Sequence, residues 1–239
     1  MTNAAPEASQ ARAARIAGAM YLVTTATAFF SEFVVKSSLI VRGDATQTAQ
    51  NIIGAERLFR IGIAVDLASA TGVVALTWAL YVLLRPADRN LALLAAFWRL
   101  AEAAILCVMT LNSMVVLVLL SGTDYLKAFE VNQLHSLARL ALDVQGTEYN
   151  VVFILLGLGS TVFSYLLLKS RYVPQALAGW GVFSSLLMTT YAVSSIVFPS
   201  APKLVQVASY LPMGIYEVIL GPWLLLKGAT LKSSSASAA

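Results

Sequence analysis

The stretch Ala92–Leu120 leaves a chain like this few ways to fold. It is an apolar run long enough to cross a bilayer, for which about 20 helical residues are needed to span ~30 Å of hydrocarbon. With no water there, every backbone N–H and C=O must be bonded within the segment, so the run has to be helical. Arg99 and Glu102 lie inside it. A charge at the bilayer centre costs about 2.5–3.5 kcal/mol on insertion scales, so both side chains must turn toward a partner. Three residues apart, they share a helix face and can pair with each other.

Five more runs of the same kind flank this one. They cover roughly Ile16–Val35, Leu58–Leu84, Tyr149–Leu168, Leu177–Phe198 and Val205–Leu226, and the third span itself begins at about Leu91. Hydrophobic residues make up 59% of the 239-residue chain and charged ones only 12%, against about 25% charged in an ordinary soluble domain. A water-facing fold would leave much of that apolar surface exposed. The fold class expected is all-α: a polytopic membrane protein, a six-helix transmembrane bundle with an amphipathic interfacial helix in the third loop. Residues 1–15 read as a polar N-terminal tail, 16–227 as the six-span domain and 228–239 as a disordered C-terminal tail.

The first run has a rival reading as a signal peptide, because Ala26-Thr27-Ala28 imitates a cleavage site. It continues apolar through Phe29, Phe30, Phe33 and Val34, as a retained span does. Lys36–Glu56 reads as a polar loop. Arg85-Pro86 ends the second span, and with Asp88 and Arg89 makes a tight turn, so spans two and three form an antiparallel hairpin. In Ser121–Gly146, Leu126, Phe129, Leu134, Leu137, Ala138 and Ala141 recur at helical spacing. Lys127, Glu130, Gln133, Ser136 and Arg139 take the other side, the pattern of a helix lying in the membrane interface.

Charge placement sets orientation. The net charge of +4 is spread over segment ends and gives no continuous basic face, so a nucleic-acid partner is not expected. Arg12, Arg15, Arg85, Arg89, Lys169, Arg171, Lys227 and Lys232 fall on one side of the six spans, in short turns and tails. Lys36, Arg42, Lys127, Arg139 and Lys203 fall on the other, with Arg57 and Arg60 at its boundary. The positive-inside rule then puts both termini in the cytoplasm. The single cysteine, Cys107, excludes an intramolecular disulfide and reads as a small buried hydrophobe. His135, the single histidine, has no Cys, Asp or Glu set at ligand spacing, so it reads as an interfacial polar residue, and neither a metal nor a cofactor is expected.

With that orientation, Glu32 and Asp66 sit in the outer halves of spans one and two. Glu217 is near the middle of span six, and Glu102 is slightly inside the middle of span three, with Arg99 a turn nearer the cytoplasm. Arg57 and Arg60 can snorkel to water at the outer edge. Asp66 is too far along its helix to reach them, which leaves Asp66 and Glu217 without an obvious cation. The candidate polar cluster is Asp66, Arg99, Glu102, Glu217, Glu32 and Arg60, with hydrogen bonds from Asn112, Asn150 and Tyr216 where faces converge.

Some residues carry a family likeness. They are Ala14-Arg15-Ile16-Ala17-Gly18 with Tyr21-Leu22, then Phe59-Arg60-Ile61-Gly62 with Asp66, and Arg99-Leu100-Ala101-Glu102-Ala103. Further on come Lys169-Ser170 with Pro174, Glu217, Trp223-Leu224-Leu225 and Lys227-Gly228. In order and spacing the chain resembles, over nearly its whole length, the bacterial membrane proteins grouped as domain of unknown function 4386. The resemblance implies a six-helix integral protein of a bacterial plasma membrane and brings no catalytic residues with it.

Four roles fit such a set of buried charges. Arg–Glu pairs can simply fix how helices pack and in which register, and Ala68-xxx-Gly72 would allow close helix contact. The acids can line a proton or small-molecule site, with Pro212 and Pro222 loosening span six beside Glu217. No internal repeat of the usual transporter kind is visible, and a second copy of the chain would help to enclose a path. Alternatively, a protonated carboxylic acid at Glu217 or Asp66 acts on a lipid or isoprenoid in a pocket lined by Phe97, Trp98 or Trp180. No HExxH, GxSxG, P-loop or GxGxxG motif supports an enzyme, and no lysine lies deep in a span for Schiff-base chemistry. The last role is a structural or accessory subunit. The partners expected are the lipid bilayer, a small apolar or lipid-like ligand, and a second copy of the chain.

Overall fold

The computed structural model describes residues 4–198 and 203–230. Among them there are helices and turns but no strand. Helix α1 (Ala4–Phe29) runs on through a π-helical segment (Phe30–Lys36) into the single turn α2 (Ser37–Leu39). Then follow α3 (Ala45–Gly54), α4 (Glu56–Leu84), α5 (Arg89–Leu119), a 3-10 turn at Asp124–Ala128, α6 (Val131–Ser170), α7 (Gln175–Val197) and α8 (Lys203–Leu226). Six of these helical stretches are long and apolar enough to cross a membrane: Ala8–Leu39, Glu56–Leu84, Arg89–Leu119, Val131–Ser170, Gln175–Val197 and Leu204–Leu226.

Local chemistry fixes the ends. Asp88 accepts a hydrogen bond from the Leu91 backbone N–H at 3.1 Å and starts α5. That bond, helped by Lys169 at 3.6 Å, holds the Asp88 carboxyl below its ordinary range. Glu130 and Gln133 form a reciprocal capping box at the start of α6. At its other end Arg171 takes the left-handed conformation, with φ at 57°, and Pro174 starts α7 after a turn too short for anything but an antiparallel return.

The six spans close into a ring. Each packs on two neighbours, in the order α1, α4, α5, α6, α7, α8 and back to α1. At the α1–α8 contact Gly18 is required, because a Cβ there would collide with the Gly221 and Leu225 backbone. One end of the ring is an apolar core that includes Leu80, Leu83, Leu84, Ala92, Leu166 and Leu224. The opposite end has a smaller core around Val35, Ile52, Phe59, Val116 and Leu142. Phe29, Phe33, Trp78, Phe97, Phe183 and Leu211 point outward, as lipid-facing side chains do.

Several expectations are refined. The polar N-terminal residues from Ala4 onward are helical and continuous with the first span, and Gln10 donates to the Leu83 carbonyl oxygen at 3.0 Å. The Lys36–Glu56 stretch is largely helical. The amphipathic segment of the third loop is divided: Leu126 and Lys127 lie in the 3-10 turn Asp124–Ala128, Phe129 and Glu130 lie between the two helices, and from Val131 onward the segment runs into the fourth span as one 40-residue helix. Arg139 anchors it by donating to the Val41 carbonyl oxygen at 2.9 Å. His135 is buried by the protein within that extension. Of the small pair in span two, Gly72 meets Thr24 of α1 while Ala68 stays exposed. Pro212 and Pro222 sit within a helix that stays continuous. The tail beyond residue 230 lies outside the described residues.

Candidate functional site

The sequence pairing of Arg99 with Glu102 is present: Arg99 Nη1 lies 2.7 Å from Glu102 Oε2, with side chains only 3% and 4% exposed. The closed ring explains what surrounds them. Helix α5 touches neither α1 nor α8 as a ring neighbour, yet Arg99 is within electrostatic reach of Tyr21 on α1 and Glu217 on α8. Glu102 likewise acts on Glu217 and Tyr21. These groups therefore lie within electrostatic reach of one another inside the bundle. Glu217 is half-buried by the protein itself, and Tyr21 and Tyr216 beside it are fully enclosed.

Small residues make room for this centre. Gly159 of α6 lies under the Arg99 stem, and Gly181 of α7 faces the ring of Tyr216. Tyr216 and Ser164 share a 2.9 Å hydrogen bond. The centre thus has one guanidinium and two carboxyl groups within electrostatic reach of one another, with Tyr21 and Thr25 beside them.

Its hydrogen bonding is incomplete. Among the described residues, the buried side-chain atoms without a hydrogen-bond partner are Thr25 Oγ1, Ser31 Oγ, Arg99 Nη1, Glu102 Oε2 and His135 Nδ1. The Arg99–Glu102 contact is a close ion pair whose angles are not those of a hydrogen bond. The Thr25 hydroxyl approaches the Glu217 carboxyl, again without hydrogen-bond geometry. Three of the five atoms therefore belong to this one centre. Arg99 Nη1 and Glu102 Oε2 compensate each other as an ion pair, so the Thr25 hydroxyl is the group left with the cost of about 1–3 kcal/mol for an unsatisfied buried polar atom.

Asp66 does not join them. Its cation is Lys36, with Nζ 3.5 Å from Oδ2, which corrects the expectation that Asp66 has none. Lys36 also donates to the Tyr149 hydroxyl at 2.8 Å, and its side chain is only 14% exposed, in the wall of the bundle rather than in a polar loop. The π-helical turn is the cause. The Ser37 N–H bonds the Glu32 carbonyl oxygen, an i→i+5 closure that adds a residue to the turn and re-aims Lys36. Around Tyr149, α6 carries a belt of interhelical hydrogen bonds. Asn112 donates to both Glu148 carboxylate oxygens (2.9 and 3.0 Å), and Gln145 donates to the Met109 carbonyl oxygen (2.7 Å) and Ser113 Oγ (2.9 Å). Ser195 donates to Asn150 at 2.8 Å.

Two other candidates also stand apart. Glu32 is exposed on the π-helical segment, away from the interior centre but within electrostatic reach of Lys36 and Tyr149. Arg60 is exposed and pairs with Glu56 at 2.6 Å on its own helix. The single candidate cluster therefore resolves into an interior centre (Arg99, Glu102, Glu217), a wall pair (Asp66 with Lys36) and two surface residues. Tyr21, Thr25, Lys36 and Glu148 lie outside the polar set expected from the sequence, where Lys36 figures only as a loop charge. Only Tyr21 carried a signal, through the family pattern at the start of the chain.

Six apolar helices closed into a ring around buried ionisable groups define a polytopic membrane protein. The chain belongs to the family described as domain of unknown function (DUF4386), whose model matches residues 16–228. That match takes in Gly18, Tyr21, Arg99, Glu102 and Glu217, the residues that pack α1 on α8 or build the interior centre. No curated protein and no solved structure matches the chain.

Proposed function

We propose that this is a small transport protein of a bacterial plasma membrane in which the Arg99–Glu102–Glu217 centre is a proton-binding site. The observation that carries the reading is the charge balance across the ring interior: two carboxyl groups lie within electrostatic reach of one guanidinium, and the Thr25 hydroxyl beside Glu217 has no hydrogen-bond partner. With all three groups ionised the centre carries a net negative charge in a low-dielectric interior, which is costly. Taking up one proton makes it neutral. Carboxylates so placed in membrane helices are the usual elements of proton relays.

Both termini are cytoplasmic in this reading. Its support is that the end of the ring where α1 begins and α8 ends also bears the short turns with Arg85, Arg89, Lys169 and Arg171. The test is reconstitution of the full chain in liposomes with a pH-sensitive dye inside and an imposed pH gradient. Wild type is expected to dissipate the gradient and Glu217→Gln to lose that activity while reconstituting equally well. Equal rates in both would overturn the proposal and leave the centre a packing device.

A further inference from the structure

Between α4 and α5, at the end of the ring away from the start of α1, runs a groove of about 610 Å³. That is well within the 300–1,000 Å³ of ordinary ligand sites. Its wall is apolar along both helices: Ile63, Ala64 and Leu67 from α4, and Met114, Leu117 and Val118 from α5. Ala64 makes the hollow, since its neighbours on the same wall are all larger. At one end the character changes, with Arg60, Ser121, Thr123 and Tyr125 closing the groove. Arg60 is seven residues from Leu67 and Ser121 seven from Met114, so apolar wall extends about 10 Å below the polar rim on both sides.

We infer that this groove is a binding site for one anionic phospholipid, with its phosphate at Arg60 and the hydroxyl rim and an acyl chain along Ala64. The order of the lining is the order of a lipid: charge and hydroxyls at the headgroup level, then hydrocarbon. Basic residues at the end of an interhelical crevice are a recurring way of holding phospholipid headgroups. Arg60 engages Glu56 through Nε, which leaves the two terminal nitrogens of the guanidinium for a phosphate. The pair with Glu56 is more than half exposed on both sides and competes only weakly. Arg60 thereby acquires a role that the interior centre does not give it.

The test is native mass spectrometry of the full chain in detergent, titrated separately with phosphatidylglycerol and phosphatidylcholine. Wild type is expected to retain a single phosphatidylglycerol in preference to phosphatidylcholine. Arg60→Gln and the groove-filling Ala64→Phe should each weaken it by about tenfold or more, whereas Glu56→Gln should bind as tightly or more tightly. Ala64 is exposed on the lipid-facing wall, so its replacement leaves the bundle core untouched. Equal retention of the two lipids, or wild-type retention in Arg60→Gln or Ala64→Phe, would overturn the inference and mean that lipid only solvates the surface. The outcome is independent of whether Glu217 takes up a proton.

Discussion

Gly159 lies directly beneath the side chain of Arg99: a Cβ at that position would stand 2.7 Å from the arginine Cγ, 2.9 Å from Cδ and 3.2 Å from the Ala95 carbonyl oxygen. The stem of the one interior guanidinium therefore rests on α6 at a place where no side chain fits, and this fixes where its charge is presented.

Gly159→Ala is expected to destabilise the protein by about 1–3 kcal/mol, the usual range for overpacking a well-filled interior. It should also disturb the centre, because Arg99 must move to admit the methyl group. A lowered thermal midpoint in detergent would agree; an unchanged one would mean that α6 yields instead.

Breaking the interior ion pair from one side should be worse than removing it whole. Arg99→Met leaves Glu102 buried without its cation, at about 3–5 kcal/mol. The double change Arg99→Met with Glu102→Leu should recover most of that loss. A double-mutant cycle on thermal midpoints measures the difference, and additive effects would show that the pair is not coupled.

In the wall, Lys36→Met should cost about 1.5–3 kcal/mol, since it removes a charged hydrogen bond to Tyr149 and leaves Asp66 without its cation. Adding Asp66→Asn should restore part of it. If Lys36→Met were silent, Asp66 would have to be satisfied some other way.

Asp88 gives a pH dependence with a definite sign. Its folded-state carboxyl lies below the ordinary value of 3.8, chiefly because the Leu91 N–H bonds the ionised form. That contribution is fully present above 3.8 and is lost as pH falls through the lower folded-state value. Melting curves of wild type and Asp88→Ala should therefore converge in acid and separate toward neutral pH. Constant separation down to the most acid point would contradict the capping role.

How much of this was legible in the sequence depends on the range of each interaction. The spans were, because each is a local apolar run. So was the Arg99–Glu102 pair, because three residues along a helix place both on one face. That Arg99 is within electrostatic reach of Glu217 was not legible, because the cost of leaving an acid alone in hydrocarbon says that it needs company but not which residue supplies it, and the same cost equally grouped Asp66, Glu32 and Arg60. Lys36 was not legible as the partner of Asp66: regular helical counting fails across Phe30–Lys36, where the π turn inserts a residue. Nor was the role of Tyr21, since an aromatic on an apolar face looks the same whether it fills a core or borders a charge. The ring order of the helices is long-range information, and it decides which faces meet across the interior.

In the proposed mechanism the interior centre holds one exchangeable proton, with Glu217 as a necessary member. Infrared difference spectroscopy across a pH step, in light and heavy water, reads it directly. Wild type should show an exchangeable carboxylic-acid carbonyl band that titrates and is missing in Glu217→Gln. The same titrating band at full intensity in Glu217→Gln, or no such band in wild type, would contradict the account.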